Sequence, residues 1–278
     1  MPTLYLVATP IGNLEDVTLR ALRVLRDVPL IAAEDTRTTR KLLAKHGIKA
    51  RLTSYHEHNK AQKIPYILSA LEHGDVALVS EAGMPAVSDP GVDLVAAAVA
   101  AGISVVAVPG PSAVVTALAV SGLPTRQFTY VGFLPRRRGE RRRLLSGVAG
   151  QPRTIVALES PHRLLASLGD LLAVLDDRRI AVCRELTKLH EEVFRGRISE
   201  ALAHFREPRG EFTLVIEGPA GPESGAPADE AVVRQELRRL RQQGLGASRA
   251  VDEVALRFGL PRRQAYRLWL QAKDEPGQ

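Results

Sequence analysis

Short apolar runs rich in Val, Leu and Ala alternate, through the first part of the chain, with stretches in which apolar residues recur every three or four positions. The first pattern belongs to strands covered on both faces, the second to amphipathic helices. Strands are predicted over 4–8, 30–33, 76–80 and 104–108, with a weaker one over 51–55. Helices are predicted over 18–25, 36–45, 60–71 and 94–101, and Gly47 is placed to end the second. Strand and helix in strict alternation imply a largely parallel sheet under helices. Beyond Pro109 the order changes. A helix over 112–120 is followed by a strand over 128–133 and a basic helix start over 140–145. Then come a strand over 154–158, a helix over 162–174, strands over 180–184 and 192–196, a helix over 199–205 and a strand over 212–217. Neighbouring late strands predict antiparallel pairing and so a mixed sheet.

The fold class expected is therefore α/β, with two α/β domains and a small helical appendage. The N-terminal domain spans 1–110 and the second 111–218; a Gly-, Pro- and Ala-rich linker covers 219–228. A helix-turn-helix-like module fills 229–278, with helices over 229–243, 248–258 and 261–272. Ser248 is placed as an N-cap, Gly259 as the turn and Pro261 in a first helical turn.

A length of 278 residues suits two cores, and with 4% aromatic residues those cores rest on Ala, Val and Leu. The net charge of +7 is concentrated in two places. Between Arg136 and Arg143 lie six arginines and one glutamate; between Arg234 and Arg267 lie nine arginines and three carboxylates. The rest of the chain is slightly acidic, so a polyanion such as RNA would meet local patches. One cysteine, Cys183, excludes an intramolecular disulfide and a Cys-based metal site. The seven histidines lack ligand spacing, so no metal is expected. The longest apolar stretch, 95–108, is broken by Gly102 and too short to span a bilayer, and nothing at the N-terminus reads as a signal peptide. A cytoplasmic location with no membrane partner is expected.

Candidate chemistry lies in the turns after strands, where open α/β sheets bind ligands. The first, ATPIGNLED over 8–16, has Pro10 and Gly12 but neither the GxGxxG nor the GxxxxGK[ST] spacing, which leaves NAD and ATP sites unsupported. SEAGMPAVSDPG over 80–91 is long, small-residued and carries two carboxylates; such loops in compact domains are usually functional. VPGPSA over 108–113 turns sharply into a helix start, leaving free N–H groups and the Ser112 hydroxyl. AEDTR over 33–37, LESPHR over 158–163 and RELTKLHEE over 184–192 add charged strand ends. For each charge taken singly, capping, solvation or a structural ion pair is the more frequent role.

Taken in order, LVATPIGNLED, AEDTR, SEAGMPAVSDPG, VPGPSA, ESPHR, RELTKLHEE and GEFTLVIEG resemble the tetrapyrrole-methylase-like superfamily. Within it they resemble the small-subunit ribosomal RNA methyltransferases that act on the 2′-hydroxyl of cytidine 1402 in 16S rRNA. The resemblance spans nearly the whole chain. It implies S-adenosylmethionine bound in a cleft between two domains, a homodimer, and 16S rRNA within the 30S subunit as partner. Carried over by motif, the cofactor meets Pro10, Gly12, Ser80, Glu81, Ala82, Gly83, Met84, Val87, Ser112, Ala113 and Leu158. Family chains carry Asp and Thr where this one has Glu81 and Met84.

Methyl transfer from a sulfonium needs the attacking oxygen, carbon and sulfur held in line, and a base to take the hydroxyl proton. Glu159, Glu185 and neutral Lys188 are the catalytic candidates. Arg163, Arg184 and Arg37 suit phosphate, as do Arg136, Arg137, Arg138, Arg141 and Arg142 of the arginine run. Two rival readings remain at this point. One is a DNA-binding helix-turn-helix regulator with a ligand-sensing α/β part, its recognition helix carrying Arg262, Arg263, Gln264 and Arg267. The other keeps the cofactor and changes the acceptor to a tetrapyrrole.

Overall fold

In a computed structural model describing residues 2–219, 230–258 and 260–272, without the side chains of Leu256 and Arg257, five strands form the first sheet. They are β1 (Thr3–Val7), β2 (Leu30–Ala33), β3 (Leu52–Ser54), β4 (Val76–Val79) and β5 (Ser104–Val108). All pair in parallel, in the order β3-β2-β4-β1-β5. β2 and β4 are buried at every position because both faces are covered. On one face α1 (Leu19–Asp27) and α2 (Thr36–Lys45) bring Leu25 and Leu42 against Val7, Ile31 and Val79. On the other, α3 (Lys60–Leu71) and α4 (Val92–Ala100) bring Ile67 and Leu94 against Leu4, Ala32 and Leu78. The two-residue period of the strands sorts these side chains between the two cores. Capping fixes the helix starts: the Thr18 side chain accepts from the Ala21 N–H, and that of Asp35 from the Arg37 N–H. With every strand parallel, all the β-to-α turns leave from one edge.

The second sheet contains β6 (Phe128–Phe133), β7 (Thr154–Glu159), β8 (Arg179–Arg184), β9 (Glu192–Arg197) and β10 (Phe212–Ile216), in the order β6-β7-β10-β8-β9. β6 and β7 are parallel and the other pairs antiparallel, the mixed sheet expected from the late strands. α6 (Arg138–Val148), α7 (Leu164–Leu175) and α8 (Ile198–His204) cover one face through Leu145, Leu168 and Ile198. α5 (Ala113–Ser121) covers the other, Ala117 and Leu118 meeting Val156, Ala181 and Val215. Ile11, from the turn after β1, belongs to this same core.

α9 (Glu230–Gln242), α10 (Ala247–Phe258) and α11 (Arg262–Gln271) enclose a third core around Leu237, Val251, Leu268 and Trp269. Here one expectation is corrected. α10 starts at Ala247, so Ser248 is inside the helix rather than its cap, and its hydroxyl accepts from Arg262 at 3.2 Å. The helix expected over 162–174 begins as a 3-10 turn, Pro161–Arg163, because proline fixes the first turn. Gly259 and linker residues 220–228 lie outside the described residues. Among the described residues no helix is long and apolar enough to cross a membrane, and no group of three or more His, Cys, Asp or Glu is arranged to hold a metal ion.

Candidate active site

The turns after β1, β2 and β4 leave neighbouring strands and are bonded to one another, with the turn after β5 beside them. Thr9 and Gly83 exchange two backbone hydrogen bonds, of 2.9 and 3.0 Å, in an isolated antiparallel bridge. The Thr9 hydroxyl donates to the Ser80 carbonyl at 3.3 Å. The Glu81 N–H donates to Glu34 Oε2 at 3.1 Å, drawing the β2 turn in. The Ala8 N–H donates to the Val108 carbonyl at 3.1 Å, beside the β5 turn. Gly83 has φ +78, which a glycine adopts freely, whereas Ala86 and Ser88 hold φ near +65 without that freedom. Such conformations cost about 1–2 kcal/mol each and persist where the surroundings impose them. The 80–91 loop is therefore held in shape, with Met84 half-buried and Val87 exposed at its outer side.

This edge meets the second sheet directly. A Cβ on Gly12 would lie 2.5 Å from Lys188 Cγ and 2.9 Å from the Leu186 carbonyl oxygen, so only glycine permits the approach. The neighbouring Asn13 N–H donates to Thr187 Oγ1 at 3.0 Å. At the far end of the long loop, Ser88 Oγ and Tyr130 Oη are 2.7 Å apart, joining that loop to β6. Tyr130 pairs with Val156 and Phe133 with Leu158, which carries the contact on to β7. Lys188 Nζ donates at 3.0 Å to both Glu185 Oε1 and Glu211 Oε2, and Glu185 Oε1 also accepts the Glu211 N–H at 2.8 Å. Glu185 is pressed against Gly210, where a Cβ would sit 2.5 Å from its carboxyl carbon.

The charges at this edge are crowded and unequal. Burial, then the nearby Glu34 carboxylate, pushes Asp89 up to about 6. Burial, with Asp35 and Glu34 close by, also raises Glu81. Asp35 lies low, at about 2, because Arg37 forks onto its carboxylate. Burial would raise Glu185, but the Glu211 N–H and the Lys188 ammonium outweigh it and hold it below the usual range. Burial would lower Lys188, but its two carboxylate partners outweigh this and raise it. Lys188 is thus held as the ammonium, not the neutral amine expected of a base. Ser80 Oγ, buried beside the Asp89 carboxyl, makes no hydrogen bond of ordinary geometry.

Several residues singled out from the sequence come together here. Pro10, Gly12, Ser80, Glu81, Ala82, Gly83, Met84 and Val87 lie on the bonded turns, and Ser112 and Ala113 open α5 beside them. Ser112 makes no side-chain capping bond, so its hydroxyl and the first-turn N–H groups of α5 are uncommitted. Lys188 meets the Gly12 turn, and Glu185 reaches it only through its bond to Lys188. Glu159 does not open into this space. Its side chain is fully buried, with Oε1 paired to Arg163 at 2.7 Å and accepting the Ser160 N–H, and Oε2 accepting from Ser167. Arg163 in turn donates to the Leu134 carbonyl at 2.8 Å, so this pair clamps β7 to the turn after β6.

Within the arginine run, Arg141 is turned inward, 4% exposed and bonded to Asp170 through two nitrogens. Arg138 and Arg142 pair with the same carboxylate at 3.2 Å, Arg138 staying largely exposed and Arg142 half-buried. Arg136 and Arg137 are exposed, Arg37 is exposed on the Asp35 pair, and Arg184 is half-buried against Glu192. Asp89 was missed by sequence reasoning. Its signal was available as the second of the two carboxylates of the 80–91 loop, but not the burial that shifts it. A cavity of about 310 Å³ lined by Leu30, His73 and Val76 lies instead at the amino ends of β2 and β4.

Two α/β sheets that join through tightly turned strand ends are the architecture of the tetrapyrrole methylases, and the profile of the family described as Tetrapyrrole (Corrin/Porphyrin) Methylases matches residues 3–202. The chain belongs to this family, and within it to the ribosomal RNA small subunit methyltransferase I proteins. It is 48% identical to the one from Synechocystis sp. over 99% of this chain and 100% of that protein. The one from Thermotoga maritima is 52% identical over 78% of this chain and 99% of that protein. Among solved structures, uroporphyrin-III-C-methyltransferase from Thermus thermophilus superposes with a TM-score of 0.56 at 25% identity, over 80% of this chain and 96% of that one.

Proposed function

We propose that this protein transfers the methyl group of S-adenosylmethionine to the 2′-hydroxyl of cytidine 1402 in 16S rRNA. The full-length identity to relatives named ribosomal RNA small subunit methyltransferase I carries the reading. The residues present suit the cofactor. An orphaned buried hydroxyl (Ser80), an uncommitted helix N-terminus with Ser112, and the carboxylates of Glu34 and Glu81 supply donors and acceptors for a zwitterionic nucleoside. Pro10, Gly12, the 80–87 segment, Ser112, Ala113 and Leu158 would hold it, and when bound it supplies an activated methyl group on a good leaving group.

The chain's own work is orientation and proton handling. Lys188, fixed as a cation between Glu185 and Glu211, faces the anionic backbone of the substrate and orients the ribose. Asp89, with a proton affinity near neutrality, accepts the proton of the attacking hydroxyl; bases whose pKa lies near the working pH do so best. Glu185 positions Lys188. Glu159 acts through Arg163, holding the wall of the cleft. Arg136, Arg137, Arg138 and Arg142 track the RNA phosphates, with Arg37 and Arg184 at the cleft's margin.

The substrate in this reading is the 30S subunit, the location cytoplasmic and the working form a homodimer. An apolar stripe of α4, Val92 and Val99, beside the unpaired edge of β5 suits the contact between copies. The decisive test incubates the protein with radiolabelled S-adenosylmethionine and undermethylated 30S subunits. Close to one methyl per subunit, mapped to a single cytidine ribose, is expected. No incorporation into 30S, with label entering a tetrapyrrole instead, would overturn the reading.

A further inference from the structure

The C-terminal helices contribute nothing to the site described above: α9, α10 and α11 pack chiefly on one another. The methylase profile ends at residue 202, and the Thermotoga maritima relative is matched over 99% of its length while about a fifth of this chain has no counterpart in it. The module is thus an addition to the methylase body. Across 230–272 it holds nine arginines and four carboxylates. Three of those carboxylates are engaged, Glu230 by Arg234, Glu236 by Arg239 and Asp252 by Arg262.

The excess charge is displayed on α11. Its inner face, Ala265, Leu268 and Trp269, is buried in the module's core. Its outer face carries Arg263 and Arg267, both exposed and one turn apart, with Tyr266 half exposed between them. Among the described residues neither arginine has a carboxylate partner. Two unpaired guanidiniums flanking an aromatic ring combine phosphate contacts with a stacking platform for an unpaired base. We infer that the Arg263–Tyr266–Arg267 face of α11 is a second RNA-binding surface, which anchors the substrate rRNA apart from the cleft. This rests on the rRNA reading above. An RNA loop is favoured over a DNA groove because the central ring needs an unstacked base, which duplex DNA does not offer.

The test uses the full-length protein with the double substitution Arg263→Ala, Arg267→Ala, the single substitution Tyr266→Ala, and a charge-keeping Arg263→Lys, Arg267→Lys control. Methylation of 30S subunits is followed at several salt concentrations. Binding of a protein-free 16S rRNA fragment is measured separately by fluorescence anisotropy, with duplex DNA of equal length as competitor. For the alanine pair, KM for 30S and the RNA dissociation constant should rise about fivefold or more, and the salt slope should flatten by about two. Its kcat and S-adenosylmethionine affinity should stay unchanged, and the lysine pair should recover most of the loss. A KM and salt slope unchanged in the alanine pair would overturn the inference, as would duplex DNA displacing the RNA at equal concentration. Failure of the wild-type protein to methylate 30S would instead sink the functional reading, while anisotropy still reports on the surface.

Discussion

Asp89 sits half-buried near the Glu34 and Glu81 carboxylates, and its elevated proton affinity has consequences for stability as well as chemistry. The folded state holds this proton more tightly than the unfolded chain, whose aspartate titrates near 3.8. Stability therefore falls as pH rises from about 4 through about 6 and is lowest above that window, by up to about 3 kcal/mol. Asp89→Asn should raise the melting temperature at pH 8, remove the limb near pH 6 from the rate profile, and lower kcat by about a hundredfold or more. A variant that keeps both kcat and its acidic limb excludes Asp89 as the base. Glu159→Gln should behave differently. It strands Arg163 beside a neutral amide and should cost about 3 kcal/mol of stability, read by denaturant unfolding, with the chemistry at low temperature nearly intact. Gly12→Ala should abolish cofactor binding measured by calorimetry. Trimming Lys188 to Ala in that background should not rescue it, because the Leu186 carbonyl remains in the way.

Among the elements, those with clean periodicity and clear punctuation were legible in the sequence. α2, α3, β5 and β6 have the bounds expected, since caps, a following glycine or a β-branched run mark their ends. The convergence of the strand-end turns was legible as well, because parallel strands leave no other place for them. What side chains do on those elements was less so. Arg138, Arg141 and Arg142 fall at helical spacing on α6 and read as an exposed basic face. Only the partner on α7 reveals that Asp170 draws Arg141 inside. Burial alone would raise the Asp170 carboxyl, yet Arg141 and Arg138 hold it below its usual range. Replacing Asp170 with Ala leaves the Arg141 guanidinium buried without its carboxylate. A loss of about 3–5 kcal/mol is expected in equilibrium unfolding, whereas Arg137→Ala on the same helix should change stability by less than about 0.5 kcal/mol.

For the whole molecule, the charge pattern divides labour between a nearly balanced body and two basic regions, which the net charge alone concealed. The homodimer proposed above would use a different surface. Among the described residues β5 ends the first sheet with one edge unpaired, and the neighbouring α4 leaves Val92 and Val99 more than half exposed. Val92→Glu with Val99→Glu should convert a dimer into monomers in sedimentation velocity without lowering the melting temperature of the monomer. A wild-type protein that is already monomeric would remove this contact from the picture.

Ile11 lies in the core under the second sheet, and Asn13, two residues on, is bonded to a residue 174 positions later. Prising the lobes apart would drag an apolar side chain into water, at about 2 kcal/mol before any polar bond is counted. The two lobes are thus fastened directly at this turn, and a movement that parted them would first have to undo that contact. A ribosome making this chain also cannot close this contact until residue 188 has emerged, so the first lobe alone is an incomplete vessel.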